Sequence, residues 1–148
     1  MKKLMVAFAA LALAVTASAD VTWNWWMDNK LATPDISLGI ASKCMKVGTA
    51  EISLLYSGSS VSDGVQWTVL GINDSSSSCA LQLAPWFNRG ADPCVQLGFI
   101  NVADSACVTL GFVNIAENTK VQLGFLNFDK KGFLPVFPFV NLSKDLFD

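Results

Sequence analysis

The 148-residue chain contains no histidine and a single tyrosine. Without an imidazole, the usual Ser-His and Cys-His nucleophile systems cannot be assembled. Structural zinc sites are typically held by closely spaced cysteine and histidine, and the four cysteines include no C-x-x-C pair. The acidic side chains are scattered singly through turn-like segments. The sequence therefore predicts a protein that is not an enzyme and that carries no metal and no cofactor.

Charge is also scarce, since only 15% of the residues are charged and the formal net charge is −2. No basic stripe is present, so we do not expect a nucleic-acid partner. Long apolar runs are missing too. Leu4–Val15 is shorter than the roughly 20 residues that a spanning helix needs, and the later run Phe133–Val140 is interrupted by Pro135 and Pro138. We expect no transmembrane helix in the mature chain.

The N-terminus has the pattern of a signal peptide. Lys2 and Lys3 are followed by the apolar run and then by Ala17-Ser18-Ala19, a small-x-small cleavage site. The sequence thus predicts a signal peptide at residues 1–19 and one exported domain at residues 20–148. The periplasm, the outer-membrane surface and the extracellular space all remain open as destinations.

A short repeat dominates the mature chain. The heptad V-x-L-G-F-x-N occurs at Val95–Asn101, Val108–Asn114 and Val121–Asn127, with a constant step of 13 residues. Weaker copies upstream bring the total to about seven units. We therefore divide the domain into an N-terminal cap (21–34), a repeat region (35–128) and a C-terminal cap (132–148).

The repeat predicts an all-β fold, because residues alternate with period two and the unit is too short for a crossover helix. We favour a parallel β-solenoid of about seven short coils over the alternative, an antiparallel β-meander or small β-barrel. In a solenoid, equivalent residues of successive coils stack about 4.8 Å apart. Strict alternation would turn Val95, Leu97 and Phe99 to one side, and we expect these rows to fill the interior.

Two sets of residues favour the solenoid over the meander or barrel. Asn101, Asn114 and Asn127 recur at one offset, which predicts a ladder of stacked amides. Cys94 and Cys107 are also one repeat apart, so a solenoid would bring them within the Cα separation of a disulfide. We take them as a candidate disulfide, the alternative being two small buried apolar residues.

The positions of opposite parity predict a flat, semi-apolar surface. This candidate interaction stripe has two readings, a binding surface for a partner or a surface that packs against the tail or the N-terminal tryptophans. It comprises Gln96, Gly98, Ile100, Thr109, Gly111, Val113, Gln122, Gly124 and Leu126.

Tandem V-Q-L-G-F-x-N units that end in an L-P-x-F-P-F-x-N tail resemble a family of bacterial exported surface-repeat proteins. The resemblance covers roughly Val65 to Asn141, although Cys94, Cys107 and Lys120 stand where that family usually has glycine. It implies export and surface association, and no activity.

We therefore expect a non-enzymatic exported repeat protein that presents an interaction surface at the bacterial cell envelope to an unidentified partner. In that form the protein is a soluble, rigid domain whose Val, Leu and Phe rows are buried. The alternatives are a small outer-membrane β-barrel and a soluble small-molecule-binding β-barrel.

Overall fold

A computed structural model describes residues 19–61, 64–75 and 79–144. The predicted signal peptide lies outside these residues except for Ala19, and so do the last four residues of the predicted C-terminal cap. The regular secondary structure of the described chain is almost entirely β-strand. The strands are β1 (Val21–Trp26), β2 (Ile36–Ser42), β3 (Ala50–Ser57), β4 (Val65–Thr68), β5 (Ile72–Ser75), β6 (Leu81–Leu83), β7 (Phe87–Gly90), β8 (Val95–Leu97), β9 (Ile100–Leu110), β10 (Val113–Asp129) and β11 (Val136–Leu142).

The strands wind into a parallel β-solenoid of about seven turns. Residues at equivalent places in the repeat pair directly, so that Val95 lies beside Val108 and Val108 beside Val121. Every pairing from β1 to β10 is parallel, whereas a meander requires antiparallel neighbours. The predicted solenoid is therefore confirmed, and the alternative of a meander or barrel is wrong.

The first two heptads bend at their glycine. The third runs through β10 without a break in the strand, with a register shift against β11 between Gly124 and Asn127. β8 ends at Leu97, the chain bends at Gly98 and Phe99, and β9 begins at Ile100. A side chain at Gly98 would place its Cβ 2.5 Å from the Ala84 carbonyl oxygen, so only glycine fits here. The bend also changes which of the alternating side chains along the strand point inward.

This change of direction makes both amide positions of the heptad point inward. Gln96 and Asn101 have opposite parity in the sequence, yet both are fully buried. The aliphatic and aromatic residues between them turn outward, and Phe99 is 47% exposed. The prediction that the Val, Leu and Phe rows fill the interior is wrong, because strict alternation does not survive the bend.

The interior of this solenoid is polar. Its largest fully buried side chains are mostly amides, and the inward positions on the opposite side of the coil are small, such as Ala103, Ala106 and Ala116. A separate apolar cluster of Cys44, Val47, Val61 and Cys79 packs near the start of the solenoid. A buried amide costs free energy unless its donors and acceptor are paired, so the hydrogen bonds between coils decide the stability of this interior.

The two ends differ. At the N-terminal end, β1 pairs with β2 in the parallel ladder, and the predicted N-terminal cap leaves Trp23, Trp25 and Trp26 exposed. At the C-terminal end, β11 runs antiparallel to β10 and covers its free edge. None of the helical structure within the described residues is long and apolar enough to cross a membrane.

Candidate functional site

The predicted asparagine ladder is present. Asn101 Nδ2 donates to Asn114 Oδ1 at 2.9 Å, and Asn114 Nδ2 donates to Asn127 Oδ1 at 2.8 Å. The ladder extends upstream through Asn88 and Asn73, with bonds of 2.9 and 2.8 Å. Each amide also donates to a backbone carbonyl, as Asn114 does to Leu123 O at 3.0 Å. The asparagines therefore tie successive turns together and satisfy the backbone at the bend.

A second ladder of glutamines was missed by the sequence reasoning. Gln82 Nε2 donates to Gln66 Oε1 and Gln96 Nε2 donates to Gln82 Oε1, both at 2.7 Å. Gln66 Nε2 in turn donates to Glu51 Oε2 at 2.9 Å. Glutamine recurs at the second heptad position much as asparagine recurs at the seventh. The assumption of an unbroken period-two alternation nevertheless placed the glutamines on the outside.

The glutamine ladder is interrupted at Thr109. Thr109 lies in register between Gln96 and Gln122, and its side chain is too short to reach either amide. Gln96 Oε1, Thr109 Oγ1 and Gln122 Oε1 are all buried and lack a hydrogen-bond partner. Unpaired buried acceptors of this kind cost about 1–3 kcal/mol each.

Replacing Thr109 by glutamine is expected to stabilise the protein by about 1–2 kcal/mol, because the new amide would donate to Gln96 Oε1 and accept from Gln122. The free energy of unfolding in urea measures this. Thr109→Leu is the matched control, since it adds similar volume without a donor or acceptor. If the leucine variant is as stable as the glutamine variant, ladder completion is not the cause.

Glu51 begins the glutamine ladder and is fully buried. Its carboxylate accepts from the Ser59 backbone N–H at 3.2 Å, from the Ser59 hydroxyl and from Gln66. Burial raises the pKa of Glu51 above its usual 4.5, although these hydrogen bonds act in the opposite direction. The folded state therefore favours the protonated acid, so ionisation of Glu51 costs stability as the pH rises above about 4.5.

We expect Glu51→Gln to raise the free energy of unfolding at pH 7, because burial makes the ionised carboxylate unfavourable in the folded state and the amide carries no charge. The gain should vanish below pH 4.5, where the acid is protonated in both the folded and unfolded states. Urea unfolding at pH 4 and pH 7 tests this. Glu117→Gln, at an exposed carboxylate, is the control and should give no such gain. A pH-independent effect of Glu51→Gln would contradict the prediction.

The predicted interaction stripe does not form one exposed surface. Its second-position residues, Gln96, Thr109 and Gln122, are fully buried inside the solenoid. Its glycines face the asparagine ladder, so that a Cβ at Gly124 would lie 2.5 Å from Asn114 Nδ2. The remaining positions, Ile100, Val113 and Leu126, come after the bend and are partly exposed. The prediction of an exposed stripe is wrong for the same reason as the prediction of an apolar interior. In both cases the bend changes which side of the coil each residue faces.

The surface that the repeat does expose is apolar. We call the outward residues of the three complete heptads the apolar face. Phe99, Phe112 and Phe125 form its centre, with 47%, 45% and 52% of their surfaces exposed. Their rings stack in parallel with centroids 5.0 Å apart at both steps. The apolar face comprises Val95, Leu97, Phe99, Val108, Leu110, Phe112, Val121, Leu123 and Phe125.

Lys120 directly precedes the third heptad, but three other exposed charged residues of these turns lie on another side of the coil, at the corner that follows the asparagine. We call it the polar corner, and it exposes Asp104, Glu117 and Lys130. Lys130 Nζ donates to Glu117 Oε1 and holds the pKa of that carboxyl below its usual value. The exterior of the solenoid is thus amphipathic around its circumference.

The two candidate disulfide cysteines lie on adjacent turns, as the repeat predicts. The Cys107 backbone N–H donates to Cys94 O at 2.9 Å. Both residues are free thiols in this structure, as are Cys44 and Cys79. The placement of the pair agrees with the prediction, and no covalent bond joins it here.

Comparison with protein-family models, with curated proteins and with solved structures finds no match to this chain. Within the described ranges, no group of three or more cysteine or acidic side chains is arranged to hold a metal ion. The features that remain for a function are the apolar face, the polar corner and the pair of Cys94 and Cys107.

Proposed function

We propose that the chain is a non-enzymatic, exported repeat protein that presents its apolar face as an interaction surface at the bacterial cell envelope. The exposed, stacked row of Phe99, Phe112 and Phe125 carries this proposal. Regular apolar patches on a protein surface typically mark sites of contact with a partner or a membrane, because water is a poor solvent for them.

The proposal differs from the expectation drawn from the sequence in where the surface lies. That expectation required the Val, Leu and Phe rows to be buried and the stripe to be exposed, and the solenoid has the reverse arrangement. Ladders of buried amides, rather than a buried apolar core, therefore hold the repeat region together. The apolar side chains are then available to a partner.

Export rests on the signal-peptide pattern at residues 1–19 and on the resemblance of the V-Q-L-G-F-x-N units to bacterial surface-repeat proteins. Cleavage of this signal peptide and association with the cell surface are both part of the proposal. The two alternative functions required an antiparallel barrel, so the parallel solenoid removes their structural basis.

The proposal is tested by expressing the full chain in a bacterium and separating soluble, exported and envelope fractions. N-terminal sequencing should find a chain that starts at Asp20 in the envelope fraction. Combined replacement of Phe99, Phe112 and Phe125 by serine should move it to the soluble exported fraction. The shift should be about tenfold or more, because burial of one aromatic side chain contributes roughly 1.5–3 kcal/mol and 1.4 kcal/mol is tenfold.

The matched control replaces Asp104 and Glu117 on the polar corner by serine, and this variant should stay in the envelope fraction. Circular dichroism establishes that each variant keeps its β-structure. Retention of a folded triple-serine variant in the envelope fraction would overturn the role of the apolar face. A chain that stays in the cytoplasm with residues 1–19 attached would overturn export.

A further inference from the structure

Three cysteines lie on three successive turns. Cys94 and Cys107 occupy equivalent positions, because Val95 pairs with Val108. Leu81 pairs with Val95, so Ala80 rather than Cys79 lies opposite Cys94. The Cys94 backbone N–H donates to Cys79 O at 2.8 Å, and that of Cys107 donates to Cys94 O at 2.9 Å. Neighbouring strands lie about 4.8 Å apart, which falls within the roughly 4.4–6.8 Å that disulfides span between Cα atoms.

The three thiols differ in their access to solvent. Cys79 is buried, with 3% of its surface exposed, and burial, assisted by the charge of Asp92, raises its pKa to about 12. Cys94 is exposed and Cys107 is half-buried. A hydrogen bond with Cys107 is the main cause that raises the pKa of Cys94. The accessible pair of neighbouring cysteines is therefore Cys94 and Cys107.

The same cysteines line an open cleft of about 420 Å³. Asp92 and Lys120 also line this cleft, and Lys120 occupies the position equivalent to Cys107 in the next turn. The cleft gives a small molecule access to both thiols. It lies next to the polar corner, whereas the phenylalanines of the apolar face line no part of it.

We propose that Cys94 and Cys107 are a redox-active pair, which a small-molecule disulfide oxidises to a bond between two adjacent turns. One cysteine thiolate attacks the oxidant R–S–S–R, which gives a mixed disulfide and releases one thiolate. The second cysteine loses its proton to solvent and attacks the protein-bound sulfur. The intramolecular bond forms and the second thiolate leaves. The protein loses two protons and two electrons, and the oxidant is reduced to two thiols.

The experiment uses the chain purified under reducing conditions and incubated with oxidised glutathione at pH 8. Free thiols are then blocked with N-ethylmaleimide, and the disulfides are mapped by mass spectrometry without reduction. The expected product is one intramolecular bond between Cys94 and Cys107. Cys79 should be blocked only after unfolding, because a buried thiol with so high a pKa supplies almost no thiolate.

Two variants test the roles of Cys107 and Cys79 separately. Cys107→Ser should stop at the mixed disulfide with glutathione on Cys94, whereas Cys79→Ser should form the Cys94–Cys107 bond at a rate within about twofold of the parent chain. A bond between Cys79 and Cys94, a bond between two chains, or no bond in the parent chain would each overturn the proposal. Mapping the parent chain needs no variant to fold, and it does not depend on export or on the apolar face.

Discussion

Replacement of Asn114 by leucine is expected to lower the free energy of unfolding by about 3–5 kcal/mol, even though the two side chains are similar in size. The leucine loses the bonds to Asn127 Oδ1 and Leu123 O, at 2.8 and 3.0 Å, and the bond accepted from Asn101 at 2.9 Å. Each buried polar partner left unpaired costs about 1–3 kcal/mol. In an ordinary apolar core the same substitution would gain stability from burial.

Urea denaturation followed by circular dichroism measures this effect. Phe112→Leu is the matched control, because it changes the apolar face of the same turn and removes no hydrogen bond. Its side chain is 45% exposed, so a change within about 1 kcal/mol is expected. Equal losses in the two variants would mean that the interior is not held by the ladder.

Gly111→Ala is expected to destabilise the protein by about 3 kcal/mol or more. The added Cβ would lie 2.2 Å from the Gly98 carbonyl oxygen and 2.5 Å from Asn101 Nδ2. Relief of the first contact requires two turns to move apart, since a backbone oxygen cannot rotate away. That movement would also stretch the asparagine ladder at this turn.

Thermal unfolding compares this variant with Gly48→Ala. A Cβ at Gly48 would meet the Asp35 carboxylate oxygen at 3.0 Å and the Asp35 Cα at 3.3 Å, contacts that a movement of a few tenths of an ångström relieves. Alanine there should be nearly neutral, because reduced freedom of the unfolded chain offsets the tighter contact. A mild effect at Gly111 would show that the turns can separate without loss of stability.

The regular step of the repeat was sufficient to predict the architecture. Asn101, Asn114 and Asn127 recur at one offset, and only stacked coils give each of them the same neighbour in every turn. The asparagine ladder and the adjacency of Cys94 and Cys107 follow from that step alone. Glycine also recurs at the fourth position of the three complete heptads, whereas Ala84 stands at that position in the turn before them.

The direction of the side chains could not be predicted in the same way. Gln96 and Asn101 differ in parity, so no straight strand can bury both, and the choice between them depends on the bend at Gly98 and Phe99. A period-two pattern carries no information about such a bend. The usual expectation that apolar residues are buried then assigned Leu97 and Phe99 to the interior.

The sequence by itself favoured a stack of short β-coils, because the constant step of 13 residues across the three complete heptads places each position beside its own equivalent. Only the tertiary structure decided that the amides lie inside and the phenylalanines outside. The physical reason is that the inward direction changes between the two amide positions of each heptad, so that both point inward, where Asn101 and Asn114 each donate to the asparagine of the next turn. The same change leaves the aromatic rings stacked on the surface.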